Sequence, residues 1–314
     1  MVKVRLTFPD NWPIFRQTPG QTGEWNNYKF FLDTEIEKEF DFWVVYENLT
    51  EPIEKTILPK PNTIFITGEP PEIKTYSARF VNQFNTVITS HEKMPHTNKL
   101  LIPQCQHWFV NKSYDELVKI KPIEKTKKIS MITSTKTFTE GHRKRLDFAL
   151  KLKAHFGDAV DLFGRGIKDF DDKWDTLEAY RYNICMENSA PRYYFTEKII
   201  DCYLAYSFPV YYGCTNLENY FDEEAFKRID INDFAGSVKV IEQLLEDDDH
   251  YERRLQALIE ARDKCLHYYN IFPMLTRIMD SALRESVGPK TAVYLRKDIK
   301  PLIKGYAKKI IKRI

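Results

Sequence analysis

The residue types best suited to chemistry stand at the start of a predicted helix, in the triplet Thr196-Glu197-Lys198. Apolar residues at helical spacing predict this helix over residues 196–206. The free N–H groups of its first turn and the Lys198 ammonium are donors that can neutralise a diphosphate. We therefore predict that Lys198 binds phosphate and that Glu197 accepts hydrogen bonds from sugar or ribose hydroxyls. The alternative is that Thr196 and Glu197 only cap the helix, with Lys198 on a solvated face.

The sequence around this triplet resembles the donor-binding signature of the α-1,3/1,4-fucosyltransferase family, glycosyltransferase family ten, in its bacterial-type members. The resemblance rests on the turn Glu187-Asn188-Ser189 after a strand, on Tyr194, on the triplet itself, and on Pro209-Val210 leading to Gly213. It implies that Lys198 contacts the diphosphate of a nucleotide sugar. It also implies that Asn188, Tyr194 and Glu197 surround the nucleotide and the sugar.

Two shorter segments upstream are similar to elements of the same family. In ITSTKTFTEGHRKRLDFALKL, the resemblance implies that Arg143, at the start of a helix, contacts the diphosphate. Arg145, two residues on, is predicted to point away from Arg143 and to be ordinary surface. In Phe163-Gly164-Arg165-Gly166, small residues after a strand permit close backbone approach to a ligand, and Arg165 is the candidate donor-binding side chain. A purely structural turn is the alternative for this segment.

A candidate base lies in the first third of the chain. The segment IFITGEPP, residues 64–71, looks like the strand end where family members place the glutamate proposed to deprotonate the acceptor hydroxyl. Glu69 is that residue. An inverting transfer needs one carboxylate to accept a proton as the hydroxyl attacks the anomeric carbon, while cations stabilise the departing diphosphate. A Gly-Glu-Pro-Pro turn without chemistry is the alternative.

Two acidic segments of the chain have carboxylates that could hold a metal ion. Asp169-Phe170-Asp171 has the DxD form that metal-dependent glycosyltransferases of another fold use to hold a cation on a diphosphate. It stands in a polar segment, so we interpret it as a solvated turn. The acidic run at residues 246–249 has no histidine or cysteine at metal spacing. We predict no metal site and no required cofactor, with GDP-fucose as the donor substrate and a divalent cation at most stimulatory.

The elements that must position these residues follow an α/β pattern. In the first part of the chain, strands are predicted at residues 2–8, 41–47, 63–67 and 86–90, with a helix at 77–84. After a polar segment at 121–128 the alternation restarts, with strands at 128–133, 159–163, 182–186, 209–212 and 226–231, and helices at 141–156, 196–206 and 269–283. Two αβ domains in series are therefore predicted.

With the resemblance, this pattern implies the GT-B architecture, two Rossmann-like domains facing across a cleft, with the donor bound at the carboxyl ends of the second domain's strands. We expect an acceptor-binding domain at residues 1–125 and a nucleotide-sugar donor-binding domain at 126–285. The remaining residues, 286–314, are predicted to form a basic tail.

That tail places apolar residues near one face of a helix predicted over residues 294–314, with lysines and arginines flanking it. Pro301 and Gly305 weaken the helix. A basic amphipathic tail can lie on an anionic membrane, which would suit an enzyme acting on lipid-linked or lipopolysaccharide glycans. A tail that packs on its own domain, or frays, is the alternative.

Composition narrows the class of protein. Lys and Arg total 47 against 45 Asp and Glu, a formal net charge of +2, so nothing demands a nucleic-acid partner. The five cysteines are odd in number and lack metal spacing, which predicts reduced thiols in the cytosol. We find no secretory signal and no long apolar run, and predict a cytoplasmic protein held peripherally on the inner face of the membrane.

The resemblance implies an inverting fucosyltransferase that moves L-fucose from GDP-fucose to an oligosaccharide hydroxyl, expected to be that of GlcNAc in a surface glycan. One alternative is a GT-B enzyme that uses another nucleotide sugar. The other is a catalytically silent glycan- or membrane-binding relative. Departures from the family pattern include a bulky loop, Ala190-Pro191-Arg192-Tyr193, and Met186 where an aromatic residue is common.

Overall fold

The computed structural model describes residues 1–8, 12–33, 38–104, 107–137, 139–285, 288–299 and 302–303. Its strands are β1 (Val2–Thr7), β2 (Glu24–Trp25), β3 (Tyr28–Leu32), β4 (Phe42–Tyr46), β5 (Ile53–Pro59), β6 (Thr63–Ile66), β7 (Lys74–Thr75), β8 (Thr86–Thr89), β9 (Lys99–Leu101), β10 (Lys127–Ile132), β11 (Val160–Phe163), β12 (Tyr180–Met186), β13 (Phe208–Tyr212), β14 (Lys227–Arg228), β15 (Lys290–Arg296) and β16 (Leu302–Ile303). Its helices are α1 (Ala78–Val81), α2 (Tyr114–Leu117), α3 (Glu140–Phe156), α4 (Glu197–Leu204), α5 (Phe234–Glu246), α6 (His250–His267) and α7 (Ile271–Glu285).

The chain divides into two compact units. The first comprises residues 1–107, 113–115 and 270–314, and the second comprises 108–112 and 116–269. The predicted bounds, 1–125, 126–285 and 286–314, therefore differ from the observed ones. The polar segment at 121–128 is not a simple linker, because the Lys125 ammonium is buried and donates to the Glu178 and Ala205 carbonyls at 2.6 and 2.7 Å.

The sheet of the first unit has the strand order β2-β3-β1-β4-β6-β8-β9, parallel throughout except for the β2–β3 pair. Its central strands β4 and β6 are nearly continuous buried runs, as expected for a parallel sheet covered on both faces. Aromatic side chains dominate the core on one face, where Trp43, Phe65, Phe80 and Phe84 pack together.

The second unit holds a fully parallel sheet in the order β11-β10-β12-β13-β14. The helix α3 packs on β11, and α4 packs on β12, β13 and α6. The predicted α/β class with two Rossmann-like domains, the domain content of the GT-B architecture, is thus confirmed by the two parallel sheets.

The C-terminal segment differs from the prediction where it is described. Residues Lys290–Arg296 form a strand antiparallel to β5, and Leu302–Ile303 pair with β7, so neither stretch is helical. Leu295 is 1% exposed and joins the first unit's core, which is why this segment is extended and not a free amphipathic helix. Of the predicted tail, residues 286–287, 300–301 and 304–314 lie outside the described residues.

Two further features concern membrane-spanning helices and the cysteines. Within the described part of the chain, no helix has the length and apolar character needed to cross a membrane. Four cysteines in this part, Cys185, Cys202, Cys214 and Cys265, are buried free thiols. Cys105 falls outside the described residues.

Candidate functional site

The second sheet reverses its strand order between β10 and β12, since β10 is flanked by β11 on one side and by the later strands on the other. In open parallel sheets, ligands bind at the carboxyl ends of the strands at such a switch point. The chain leaves β10 towards α3 and leaves β12 towards α4. The carboxyl ends of these two strands therefore mark the candidate site.

Side-chain caps fix the first turns of both helices. Thr139 precedes α3, and its hydroxyl accepts from the His142 N–H at 3.2 Å. Thr196 precedes α4, and its hydroxyl accepts from the Lys198 N–H at 3.4 Å. Gly141 allows α3 to approach closely, because a Cβ there would lie 2.1 Å from the Asn188 carbonyl oxygen. Thr196 therefore caps α4, as predicted. Charged side chains also cluster at this helix start.

That cluster is centred on Glu187, which follows β12 and is 1% exposed. One Glu187 oxygen accepts from the Thr196 N–H at 2.8 Å, and the other accepts from the Thr196 hydroxyl at 2.8 Å. The Lys198 ammonium lies 3.2 Å from a Glu187 oxygen and 3.2 Å from a Glu197 oxygen. Lys198 is thus held at the helix start by two carboxylates, with its charge directed to the end of β12.

A second cation reaches the same place from α3. Arg145 is 7% exposed, and its Nη1 donates to the Asn188 side-chain oxygen and, at 3.4 Å, to the Met186 carbonyl. Within the described residues, the buried Arg145 Nε has no hydrogen-bond partner. The same holds for the buried hydroxyl of Thr133, which follows β10. Buried polar groups are ordinarily paired, so these two atoms are exceptions beside the switch point.

The prediction that Arg145 is ordinary surface is therefore wrong. Arg145, Phe148, Ala149 and Leu152 are buried at the spacing i, i+3, i+4, i+7, which defines the inner face of α3. Arg143 lies off this face, is exposed, and donates to the Thr137 carbonyl at 3.1 Å. The helical period, read in the sequence, would have singled out Arg145 instead of Arg143.

The other residues predicted to bind the donor substrate differ in burial and in distance from the cluster. Asn188 is half-buried and holds Arg145, whereas Tyr194 is 2% exposed just before the cap of α4. Arg165 is exposed in the turn after β11, and its carbonyl accepts from the Thr135 N–H at 3.4 Å. The structure thus gathers Asn188, Glu197 and Lys198 with Arg145, and leaves the Arg165 side chain at the surface.

Glycine is required in the turn that carries Arg165. Gly164 has a φ of +139°, and a Cβ at this position would lie 1.4 Å from the Thr133 carbonyl oxygen. No L side chain fits such a contact without moving the end of β10. The turn is therefore a structural necessity that also shapes the edge of the switch point.

Burial and the neighbouring charges perturb the pKa values in this cluster. Burial lowers the pKa of His142 to about 4, and the charges of Arg145, Lys136 and Lys198 add to this effect. Burial by itself raises the pKa of Glu197, but Lys198 and Lys173 outweigh it and lower that pKa to about 2. Burial raises the pKa of Glu187 above its ordinary value. Opposed shifts of two neighbouring carboxyls are typical of functional sites.

An ion pair behind α4 was not anticipated from the sequence. Lys173 donates to Asp201 at 2.7 Å, and Asp201, fully buried, also accepts from the Phe109 N–H at 3.1 Å. Burial raises the pKa of Asp201 to about 6 despite Lys173. Since Asp201 is on α4, this pair ties the residues at 108–112 to the helix that carries Lys198.

The candidate base belongs to the first unit, at the carboxyl edge of its sheet. Glu69 stands three residues after β6, is half-buried, and its carbonyl accepts from His91 Nε2 at 2.8 Å. Beside it, Glu47 is held by the Lys74 ammonium and by the Tyr76 hydroxyl, the latter at 3.1 Å. The Glu69 segment is therefore anchored from β8 and lies close to a second, paired carboxylate.

No group of three or more potential ligands from His, Cys, Asp and Glu is gathered within the residues that the structure describes. Asp169 is exposed, and one of its carboxylate oxygens accepts from the Gly166 N–H at 3.2 Å within the loop after β11. Asp171 is also exposed. The DxD segment therefore lies in a solvated loop, as expected from its polar surroundings.

A fully parallel sheet with two capped helices, a buried Arg and a half-buried Lys at its switch point is the arrangement with which Rossmann-like domains bind anionic ligands. Residues 122–257 match the model of the family described as glycosyltransferase family 10 (fucosyltransferase), C-terminal part. This confirms the resemblance carried by residues 180–221. The matched segment, residues 122–257, contains the whole Arg145–Lys198 cluster.

Individual proteins are also similar to the chain. An α-(1,3)-fucosyltransferase, FucT, of Helicobacter pylori is 29% identical over 104 residues, which are 33% of this chain. The matched part spans only about a fifth of that curated relative, 21% of its length.

Two solved structures resemble the backbone. One is an α1,3-fucosyltransferase with GDP, with a TM-score of 0.49 and 17% identity over 87% of this chain and 93% of that chain. The other is an α1,3-fucosyltransferase with GDP-fucose, with a TM-score of 0.48 and 16% identity over 84% of this chain and 90% of that chain. The match of residues 122–257 to the family model is independent of these likenesses.

Proposed function

We propose that this protein transfers L-fucose from GDP-fucose to a hydroxyl of an oligosaccharide, with inversion at the anomeric carbon. The observation that carries the proposal is the cluster at the switch point, where Arg145 and Lys198 meet two capped helix starts inside a family 10 domain. Cations and helix N-termini are the groups that bind a diphosphate. The family's description as fucosyltransferases supports the choice of sugar.

In this proposal the donor's diphosphate is bound by Arg145 and Lys198. Asn188, already oriented by Arg145, and Tyr194 contact the nucleotide and the sugar. Glu197 keeps a negative charge beside Lys198 and accepts from donor hydroxyls. As the bond between the anomeric carbon and the diphosphate breaks, its electron pair goes to GDP, whose growing charge these cations stabilise.

Glu69 is proposed as the base. Its carboxylate takes the proton of the acceptor hydroxyl while that oxygen forms the new bond to the anomeric carbon. One carboxylate suffices for inversion, because no covalent sugar intermediate is formed. Charge stabilisation comes from Arg145 and Lys198, so the scheme requires no metal ion.

The acceptor is proposed to be N-acetylglucosamine in a surface glycan, including those built on lipid or lipopolysaccharide. The basic segment at 304–314 would hold the protein on the anionic inner face of the membrane. Deleting residues 304–314 leaves the pairing of β16 with β7 intact, so it tests membrane contact without touching a described element. Undiminished sedimentation of this variant with anionic vesicles would contradict the membrane proposal.

The activity test measures GDP release from GDP-fucose with a panel of N-acetyllactosamine-type acceptors. We expect acceptor-dependent release that is nearly abolished in Glu69→Gln, which preserves shape and removes the base. Glu72→Gln is the matched control, because Glu72 is exposed in the same segment. If GDP binds but no acceptor provokes release, thermal-shift measurements with other nucleotide sugars identify a different donor, and the fucose proposal fails.

A further inference from the structure

A cluster of four rings stands at the carboxyl edge of the first unit's sheet, and no role in the proposed chemistry accounts for it. Phe8 follows β1, and its ring lies 4.8 Å from that of Tyr46 and 5.6 Å from that of His107. The Trp12 ring lies 4.6 Å from that of His107, with the ring planes tilted by 34°. We call Phe8, Trp12, Tyr46 and His107 the ring cluster.

The ring cluster lies at the switch point of its own sheet. The strand β1 pairs with β3 on one side and with β4 on the other, so the strand order reverses between β1 and β4. Phe8 continues from β1 and Tyr46 ends β4, and the two rings meet across this reversal. This is the position at which open parallel sheets bind ligands, just as β10 and β12 define the site of the second unit.

The cluster rests on buried groups and is only partly covered. Tyr46 and His107 are buried, at 4% and 9% exposure, and support the half-buried rings of Phe8 and Trp12. The guanidinium of Arg16 lies 4.6 Å from the Trp12 ring centre and fixes that ring further. Preorganised aromatic surface with a few polar groups nearby is typical of small-molecule sites. Sugar rings have apolar C–H faces that pack on such surfaces.

The cluster is also placed within reach of the candidate base. The strand β6 is the next neighbour of β4, with Tyr46 opposite Ile66, and Glu69 follows three residues later. Neighbouring strands lie about 4.8 Å apart, so Phe8 and the Glu69 segment are separated by two spacings, roughly 10 Å. A disaccharide spans this distance, with one sugar on the rings and the next at the carboxylate.

We propose that the ring cluster is a binding subsite for the acceptor, with a neutral pyranose ring packed on Phe8 and Trp12 and the reacting hydroxyl towards Glu69. This inference rests on the proposed function, which it extends by assigning the acceptor to a defined surface. The ligand class is an uncharged oligosaccharide, recognised by its apolar faces.

The kinetic test compares Trp12→Ala with Trp25→Ala, each assayed with GDP-fucose and N-acetyllactosamine. Trp25 is a matched control because it is also half-buried in the first unit, with an edge-to-face contact to Tyr114 at 5.3 Å. Loss of one aromatic contact should raise the acceptor KM about tenfold in Trp12→Ala, with the KM for GDP-fucose unchanged. Trp12→Phe, which keeps a ring, should recover most of the acceptor affinity. Equal acceptor KM values for Trp12→Ala and Trp25→Ala would overturn the inference.

A binding test without turnover separates this inference from the proposed function. N-acetyllactosamine is added to ¹⁵N-labelled protein without donor, and the indole N–H resonance of Trp12, assigned from Trp12→Phe, is followed. A selective, saturable shift of this resonance supports the subsite even if GDP-fucose is then not used, in which case only the proposed donor fails. If the Trp12 resonance does not move while the wild-type enzyme transfers fucose to N-acetyllactosamine, the subsite is wrong and the proposed function stands. An unmoved resonance in an inactive protein overturns both.

Discussion

Arg145 on α3 donates through its Nη1 to the side-chain oxygen of Asn188 and thereby joins the helix that follows β10 to the loop that follows β12. The contact bridges the two strands between which the order of the second sheet reverses. It brings a buried cation to the place where the capped start of α4 and Lys198 also lie. The candidate site at the ends of β10 and β12 is thus organised around one arginine and one amide.

Replacing Arg145 should weaken nucleotide binding far more than replacing Arg143. A hydrogen bond to a charged group contributes about 1.5–3 kcal/mol, so Arg145→Gln should raise the Kd for GDP by roughly 10- to 100-fold. Arg143→Gln should leave it nearly unchanged, because Arg143 is exposed and contacts only its own loop in the described contacts. Titration calorimetry with GDP measures both. A larger effect at Arg143 would restore the sequence-based prediction and contradict the buried-face assignment.

Acid should destabilise the fold through His142. Burial lowers its pKa in the folded protein to about 4 from 6.5, so the unfolded chain takes up the proton first as the pH falls. The stability contributed by neutral His142 is complete above pH 6.5 and is lost as the pH approaches 4. Between pH 6.5 and 4, the free energy of unfolding in urea should therefore decrease less for His142→Asn than for the wild type. His155→Asn, at an exposed position of the same helix, should fall as steeply as the wild type.

Lys125 should be a strong stability determinant even though it stands in a polar, lysine-rich segment. Its ammonium donates to two carbonyls, those of Glu178 and Ala205, so Lys125→Met leaves both without this donor. Each unsatisfied buried acceptor costs about 1–3 kcal/mol, and we expect a loss of roughly 2–4 kcal/mol in unfolding free energy. Lys121→Met, at an exposed position, should change the free energy little. Equal midpoints in urea for the two variants would contradict the buried role of Lys125.

Two glycines with positive φ should respond differently to alanine. Gly164→Ala places a Cβ 1.4 Å from the Thr133 carbonyl oxygen, whereas a Cβ at Gly157, φ +54°, meets nothing within 4 Å. Gly157→Ala should cost only backbone strain of about 1–3 kcal/mol, because φ +54° with ψ −126° is a conformation that L residues rarely adopt. Gly164→Ala should cost clearly more and should also weaken GDP binding, because the end of β10 must move. Thermal unfolding with and without GDP tests both statements, and equal Tm shifts would refute the difference.

The C-terminal strand should behave as part of the first unit's core. Leu295 is 1% exposed beside Trp43 and Phe65, while its neighbour Tyr294 is 59% exposed. Leu295→Ala should lower the unfolding free energy by about 2–5 kcal/mol, as for other buried leucines. Tyr294→Ala should stay within about 0.5 kcal/mol of the wild type, as for most surface changes. Equal effects at the two positions would mean that β15 is dispensable.

Local patterns in the sequence were enough to predict much of the framework. The strand patterns of β1, β4, β6 and β10, the helical spacing in α3 and α4, and the cap at Thr196 agree with the structure. Each of these features depends on neighbours a few residues away. The family resemblance of residues 180–221 was likewise evident from residue order alone. These features place Asn188, Glu197 and Lys198 correctly at one strand end and one helix start.

Only the tertiary structure decided which charges meet. Strand order, and hence the switch points, follows from long-range pairing such as that of β10 with β12 and of β15 with β5, which no local pattern encodes. The burial of Arg145 against Asn188 and the pair Lys173–Asp201 exist because distant segments pack together in a low-dielectric interior. The sequence by itself determined the residue types available for binding and catalysis, and packing determined which of them face a ligand.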